Sequence, residues 1–181
     1  MTGPEFFTAL HARIEDRCDA LNRLDAALGD GDHGTTMLRG LTRAAQAESG
    51  VQAKAFMRAS GGASGTLFGL ILLEVERHLN DGEALGAGLR KACDRIMDLG
   101  QVNVGDKSMV DALDPAVTAL ETGTLQDAIA AAAAGRDGTR ELSARRGRAQ
   151  YVENGGQGHV DPGAVSVVII LETLAGKEGT Q

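Results

Sequence analysis

Apolar residues recur at helical spacing almost from end to end of the chain, and this most restricts the fold. Phe6, Phe7, Leu10, Ile14, Leu21 and Leu24 follow Pro4 at intervals that keep one helix face apolar to about residue 28, where Gly29 and Gly31 end the pattern. Further helical segments are predicted over 35 to 47, from near 52 into SGGASG at 60 to 65, over 66 to 79, and over 84 to 99. A loop then opens into a helix carrying Asp114 and Pro115 one turn in, and the alanine-rich stretch from 125 to about 145 continues the pattern. A closing helix is marked by Asp161 at the N-cap and Pro162 at the first helical position. The run VVII is the one strand-like segment, and a lone strand has nothing to pair with, so the fold class is all-α with seven or eight helices.

Composition supports this reading. Aromatic residues make up only 3% of the 181 and Trp is absent, so the core must be built from Ala, Leu, Val, Ile and Met. With 25 Gly and only 3 Pro, that palette favours helices joined by glycine-containing loops. The length suits one domain over residues 1–181, with no repeat or linker-like segment. A net charge of −7 gives no basic field for a phosphodiester backbone, which argues against nucleic acid as a partner. The longest apolar run, LFGLILL, is too short to span a bilayer, and the N-terminus lacks the pattern of an export signal, so a cytoplasmic, membrane-free protein is expected. Cys18 and Cys93 are isolated and are expected to be reduced and helix-borne.

The chemistry concentrates in LDAALGDGDHGTTM, residues 24–37, where Asp25, Asp30 and Asp32 fall within eight positions with no basic residue among them. On one continuous helix Asp25 and Asp32 would share a face and Asp30 would point away. The glycines at 29 and 31 permit a bend that lets all three carboxylates converge. Converging carboxylates repel one another unless a cation lies among them, and an all-oxygen donor set suits Mg2+. An EF-hand does not fit, since Gly34 holds the third ligand position and Leu41 the twelfth. DGD alone would read as a solvated turn; Asp25 and the following HG favour metal.

SGGASGTLFG, residues 60–69, runs straight into an apolar helix. Its glycines allow close backbone approach, Ser60, Ser64 and Thr66 offer hydroxyls, and a helix N-terminus presents free N–H groups to an anion. The segment is neither a Walker A loop nor a GxGxxG after a strand, and close helix packing through small residues explains it equally well on its own. GDKSM at 105–109 and GHVDPGA at 158–164 repeat the arrangement of Gly and Asp before a helix, which capping alone would explain. Lys107, Arg148 and His159 read by default as surface or structural contacts, and ARRGRAQY as a solvated basic face. In combination, one acidic loop and several glycine-preceded helix starts suggest loops gathered at one end of a bundle around a polyphosphate and its Mg2+.

In this order, LNRLDAALGDGDHGTTM, GGASGTLFG, GDKSMVDALDPA and GRAQY followed by GHVDPGAVS resemble the nucleotide-binding L-type subunits and domains of dihydroxyacetone kinases. The resemblance implies an antiparallel up-and-down eight-helix barrel with an adenine nucleotide, ADP or ATP, in the loops at one end and its phosphates held through two Mg2+ ions. The family's metal ligands fall on Asp25, Asp30 and Asp32. Its nucleotide contacts fall on His33, Gly34, Thr35 and Thr36, on Ala63 and Ser64, on Gly100 and Met109, on Arg148, and on Asp161, Pro162 and Gly163. No residue is implied as nucleophile or general base. In one branch the L subunit works with a K subunit that carries dihydroxyacetone covalently and an M subunit that feeds phosphate from phosphoenolpyruvate; in the other, K and L parts are fused and ATP exchanges freely. This chain carries only the L part, which favours the phosphoenolpyruvate branch; a regulator-docking role for a transcription regulator is the non-enzyme alternative. The nucleotide domain of fatty-acid kinases is a more distant likeness: it has Asn in place of Asp25, prolines before DGD and Thr after it.

Overall fold

The computed structural model describes residues 1–176; the last five positions of the expected 1–181 span lie outside the described residues. Eight α-helices and no strand occur among them: α1 (Gly3–Ala26), α2 (His33–Ala45), α3 (Gln52–Ser60), α4 (Gly62–Asp81), α5 (Leu85–Gly100), α6 (Val110–Leu120), α7 (Leu125–Gly138) and α8 (Pro162–Leu174). Each helix packs against the next, and α8 returns to pack against α1, so the ring closes. Arg13 of α1 lies 3.7 Å from Glu172 of α8 across that seam. The interior is one apolar cluster running from Phe6 and Phe7 of α1 through Phe56, Phe68 and Leu72 to Ile169 and Ile170 of α8. VVII is helical and wholly buried, as a central helix without a polar face requires.

Local signals start the helices. Thr2 and Glu5 form a reciprocal capping box on α1, and Thr124 with Asp127 does the same on α7. Asp161 caps α8 through the Ala164 N–H at 2.7 Å, with Pro162 in its first turn. α3 has no cap of its own; instead the buried Glu76 of α4 accepts the Gln52 and Ala53 N–H groups at 2.8 and 3.3 Å.

Several boundaries differ from those expected. α1 stops at Ala26, where the Asp25 carbonyl accepts both the Leu28 and Gly29 N–H groups, and α4 begins at Gly62, a turn before Thr66. α7 ends at Gly138, followed by a 3₁₀ turn at Thr139–Glu141, rather than running to 145. A distant residue causes this: Lys107 Nζ donates to the Thr139 carbonyl at 2.6 Å, and the Thr139 hydroxyl turns back onto the Arg136 carbonyl. Pro115 lies inside α6 and has no N–H for the Asp111 carbonyl. Gly135 of α7 packs against that oxygen so closely that an added methyl would lie 2.0 Å from it, so Gly135 admits the α6–α7 contact.

Helices that alternate up and down bring every second connection to the same end. The α1–α2, α3–α4, α5–α6 and α7–α8 connections all contribute to one cavity of about 620 Å³. The opposite end carries Thr2, the α2–α3 connection and the C-terminal turns of α4. No helix among the described residues is long and apolar enough to cross a membrane. Cys18 and Cys93 are both free, and burial pushes the Cys93 thiol up to about 12.

Candidate functional site

The α1–α2 turn brings Asp25, Asp30 and Asp32 together. One oxygen from each lies within 4.8 Å of the others, the convergence expected from the glycines at 29 and 31. Asp25 also fixes the start of α2, because its Oδ2 accepts the Asp32 and His33 N–H groups at 2.9 and 3.1 Å. Its other oxygen stays free of that cap. Asp30 pairs with Arg148, which reaches over from the α7–α8 connection and sets a positive charge among the acids. The donors are all carboxylate oxygens, two of the residues are exposed to the cavity, and like charges this close favour a hard divalent cation between them.

The start of α4 lines the same cavity. Gly61 and Gly62 both adopt positive φ, +70° and +67°, which turns the chain from α3 directly into α4. No side chain caps α4, so its first turn, with Ala63 and Ser64, opens onto the cavity as a donor surface suited to an anion. Arg39 secures the same junction by donating to the Ala59 carbonyl at 3.0 Å and to that of Ser60.

His33 and Thr36 line the cavity on α2. His33 is buried, hydrogen-bonded to Ser166 at 2.8 Å and packed on Phe68 at 5.6 Å; burial lowers its pKa despite the pull of Asp25 and Asp32. Gly34 and Thr35 are not among the lining residues. Gly34 faces α1, where a methyl would meet the Cys18 carbonyl at 2.3 Å, and Thr35 is held by Asn22 through both its N–H and its hydroxyl. Gly100 and Met109 line the side formed by the α5–α6 connection; Asp161, Pro162 and Gly163 line the floor at the start of α8. Burial pushes Asp161 up to about 7, against the Ala164 N–H and the Lys107 ammonium, which lower it.

Lys107 also lines the cavity, a place its default reading as a surface or structural contact did not give. Of the two defaults, structural contact is the one present: Lys107 is 4% exposed, has φ +63°, and binds the carbonyls of Thr139 and His159. Burial lowers its pKa, opposed by Asp161 and Asp111. Asp111 shapes the same loop by accepting the Gly105 and Ser108 N–H groups at 2.5 and 2.7 Å. Arg146, also in the lining, is anchored to the Gln101 carbonyl at 2.8 Å.

Residues 27–176 match the DAK2 domain. The chain belongs to the DAK2 domain family. It is 33% identical to the ADP-binding subunit DhaL of a PEP-dependent dihydroxyacetone kinase from Listeria innocua, over 90% of this chain and 88% of that one. It is 31% identical to D-erythrulose kinase of Mycolicibacterium smegmatis, over 93% of this chain but only 34% of that longer one. The dihydroxyacetone kinase of C. freundii, solved in complex with AMP-PNP and Mg2+, superposes with a TM-score of 0.74 at 26% identity, covering 97% of this chain and 33% of that chain. The all-helical DAK2 fold anticipated from sequence is therefore the one present.

Proposed function

We propose that residues 1–181 form one L-type domain that serves as the ADP-binding subunit of a phosphoenolpyruvate-dependent dihydroxyacetone kinase in the cytoplasm. A phosphoryl group passes from the Mg2+-bound nucleotide to dihydroxyacetone carried by a K subunit, and an M subunit restores the nucleotide. The observation that carries this reading is three carboxylates within 4.8 Å of one another, lining one cavity together with an uncapped helix start. The likeness to a DhaL subunit over 88% of its length supports it, as does the fold of a kinase solved with AMP-PNP and Mg2+.

Asp25, Asp30 and Asp32 are assigned to two Mg2+ ions, which when bound neutralise phosphate charge and leave transfer to depend on positioning. Ser64 and the N–H groups of the first turn of α4 hold the transferring phosphoryl oxygens. Neutral His33, oriented by Ser166, and Thr36 direct phosphate oxygens from α2. Gly34 and Thr35 shape that helix start through their contacts with α1. Gly100 and Met109 flank the adenine, where a thioether and bare backbone suit an apolar ring face. Arg148 moves between Asp30 and the phosphates, and Asp161, Pro162 and Gly163 form the floor. No nucleophile or general base is assigned to this chain, so the acceptor hydroxyl must be activated on the K subunit.

Mass analysis of the purified protein tests the assignment. Tightly held ADP, and dihydroxyacetone phosphate formed when K and M subunits and phosphoenolpyruvate are added, is the expected result. An empty site with turnover on free ATP would favour the exchangeable-ATP ketose kinases, to which this chain is similarly related.

A further inference from the structure

Four lysine and arginine side chains among the described residues line the cavity: Arg39, Lys107, Arg146 and Arg148. Three of them are tied elsewhere, Lys107 to the carbonyls of Thr139 and His159, Arg146 to that of Gln101, and Arg148 to Asp30. Of the four, only Arg39 is tied to the α3–α4 junction. Small residues let it reach. Gly40, its neighbour on α2, packs so closely that an added methyl would overlap both the Ser60 hydroxyl and the Phe56 ring, and a methyl on Gly65 of α4 would lie 2.6 Å from the Ser60 side chain. Ser60 is fully buried between these glycines, which holds the end of α3 beside α2. The Arg39 fork then donates from Nε to the Ala59 carbonyl at 3.0 Å, and from Nη2 to the Ser60 carbonyl and to the Thr36 hydroxyl at 3.3 Å. Nη1 makes none of these bonds.

Resting on the nucleotide-binding reading above, we infer that Arg39 is a positioning residue that makes the start of α4 accept the terminal phosphate of a nucleoside triphosphate. Gly61 alone separates the last residue of α3 from the first of α4, so the negative pole of one helix lies beside the positive pole of the next. Left bare, the Ala59 and Ser60 carbonyls would repel a phosphate drawn to the N–H groups of residues 62 to 65, and the two poles would largely cancel. The Arg39 guanidinium covers both carbonyls and adds a full positive charge, so the junction presents net positive charge to the cavity. The same fork sets the Thr36 hydroxyl: an oxygen that accepts from Nη2 keeps its own proton to donate, which suits it to a phosphate oxygen. A planar fork meets three acceptors at fixed angles where an ammonium would not. Because the first turn of α4 is assigned to the phosphoryl group in transit, a diphosphate ends before it and draws little on Arg39.

Titration calorimetry on the full chain, stripped of nucleotide and supplied with Mg2+, tests this with ADP and the non-transferable triphosphate AMP-PNP. Arg39→Gln is expected to weaken Mg–AMP-PNP binding by about 30-fold, the scale of lost charge-assisted hydrogen bonding, and Mg–ADP binding by no more than about twofold. Arg39→Lys, which keeps the charge but not the fork, should recover part of the AMP-PNP loss. A merely structural role predicts equal losses for the two nucleotides together with a lowered melting temperature. That result, or an AMP-PNP affinity that does not change, overturns the proposal, as does a parent that binds Mg–ADP but no Mg–AMP-PNP. Arg39 is exposed, so Arg39→Gln should fold. If it does not, the same comparison is read from Arg39→Lys and Thr36→Val, each expected to weaken AMP-PNP selectively, and equal losses there overturn the proposal in the same way. A parent that holds neither nucleotide refutes instead the functional reading beneath it.

Discussion

Replacing Asp30 with alanine should separate nucleotide binding from stability. Its carboxylate lies within 4.8 Å of those of Asp25 and Asp32. At that distance each like-charge pair repels by about 3.5 kcal/mol at an effective dielectric of about 20 and by about 1 kcal/mol in water. Asp30 is exposed, so the lower figure applies, and the substitution relieves two such repulsions while losing one exposed ion pair to Arg148, worth about 0.5 kcal/mol. The ligand-free melting temperature should therefore stay the same or rise by a few degrees. Ligand changes the sign. Mg–ADP at about a hundred times its Kd stabilises a protein by about 2.7 kcal/mol, which at this chain length raises Tm by about 5–10 °C. Thermal melts with and without Mg–ADP should show that rise in the parent and lose most of it in Asp30→Ala, with the far-ultraviolet circular dichroism unchanged. A variant that keeps the full nucleotide-dependent rise removes Asp30 from the metal site; one that unfolds without ligand shows the acids to be stabilising, which the electrostatics above exclude.

Gly135→Ala gains about 1 kcal/mol in helix propensity but drives a methyl onto the Asp111 carbonyl, so urea denaturation should show a net loss of about 2 kcal/mol. Glu76→Ala leaves two buried N–H groups at the start of α3 without an acceptor and should destabilise by roughly 2–4 kcal/mol, with Glu76→Gln recovering part of it by keeping one oxygen. Asp161 titrates near 7 in the folded chain and near 3.8 in the unfolded one, so the native state binds the extra proton between these values. Stability of the nucleotide-free protein should thus fall as pH rises from about 4 to 7, and Asp161→Asn should flatten that slope in urea midpoints taken across the window.

Features governed by neighbours in sequence were legible, and those governed by distant contacts were not. Asp161 and Pro162 announce the start of α8 because capping is local chemistry, and VVII is helical because no strand exists among the described residues to pair with it. The three aspartates converge because two intervening glycines let them. By contrast, the end of α7 is set by a lysine 32 positions earlier that takes the Thr139 carbonyl out of the helix. Lys107 itself could be read only as surface or structural contact for the same reason: its partners are carbonyls, which leave no mark in the pattern of side chains. Gly135 has no local reason to interrupt an alanine-rich helix; the reason is Pro115, on another helix, which exposes the oxygen that Gly135 accommodates. Asp25 was legible as one of three converging acids but not as the residue that begins α2.

That double use of carboxylates bears on where the phosphates go. An up-and-down ring sets the N-termini of α2, α4, α6 and α8 at the cavity end, each carrying roughly half a positive charge. Three of these four starts are already held by the chain's own acids: Asp25 at α2, Asp111 in the turn entering α6, and Asp161 at α8. Only α4 begins without a carboxylate, and it alone is entered through two successive glycines with positive φ and open space where a side chain would stand. In the proposed function, an entering anion finds three helix starts already occupied by side-chain acids and free N–H groups at the fourth, which directs the phosphate chain toward residues 62 to 65. There it would share the cavity with Asp30 and Asp32, and only a cation between them would make the approach favourable. In that proposal topology, not the aspartate cluster alone, sets the line along which metal and phosphate would meet.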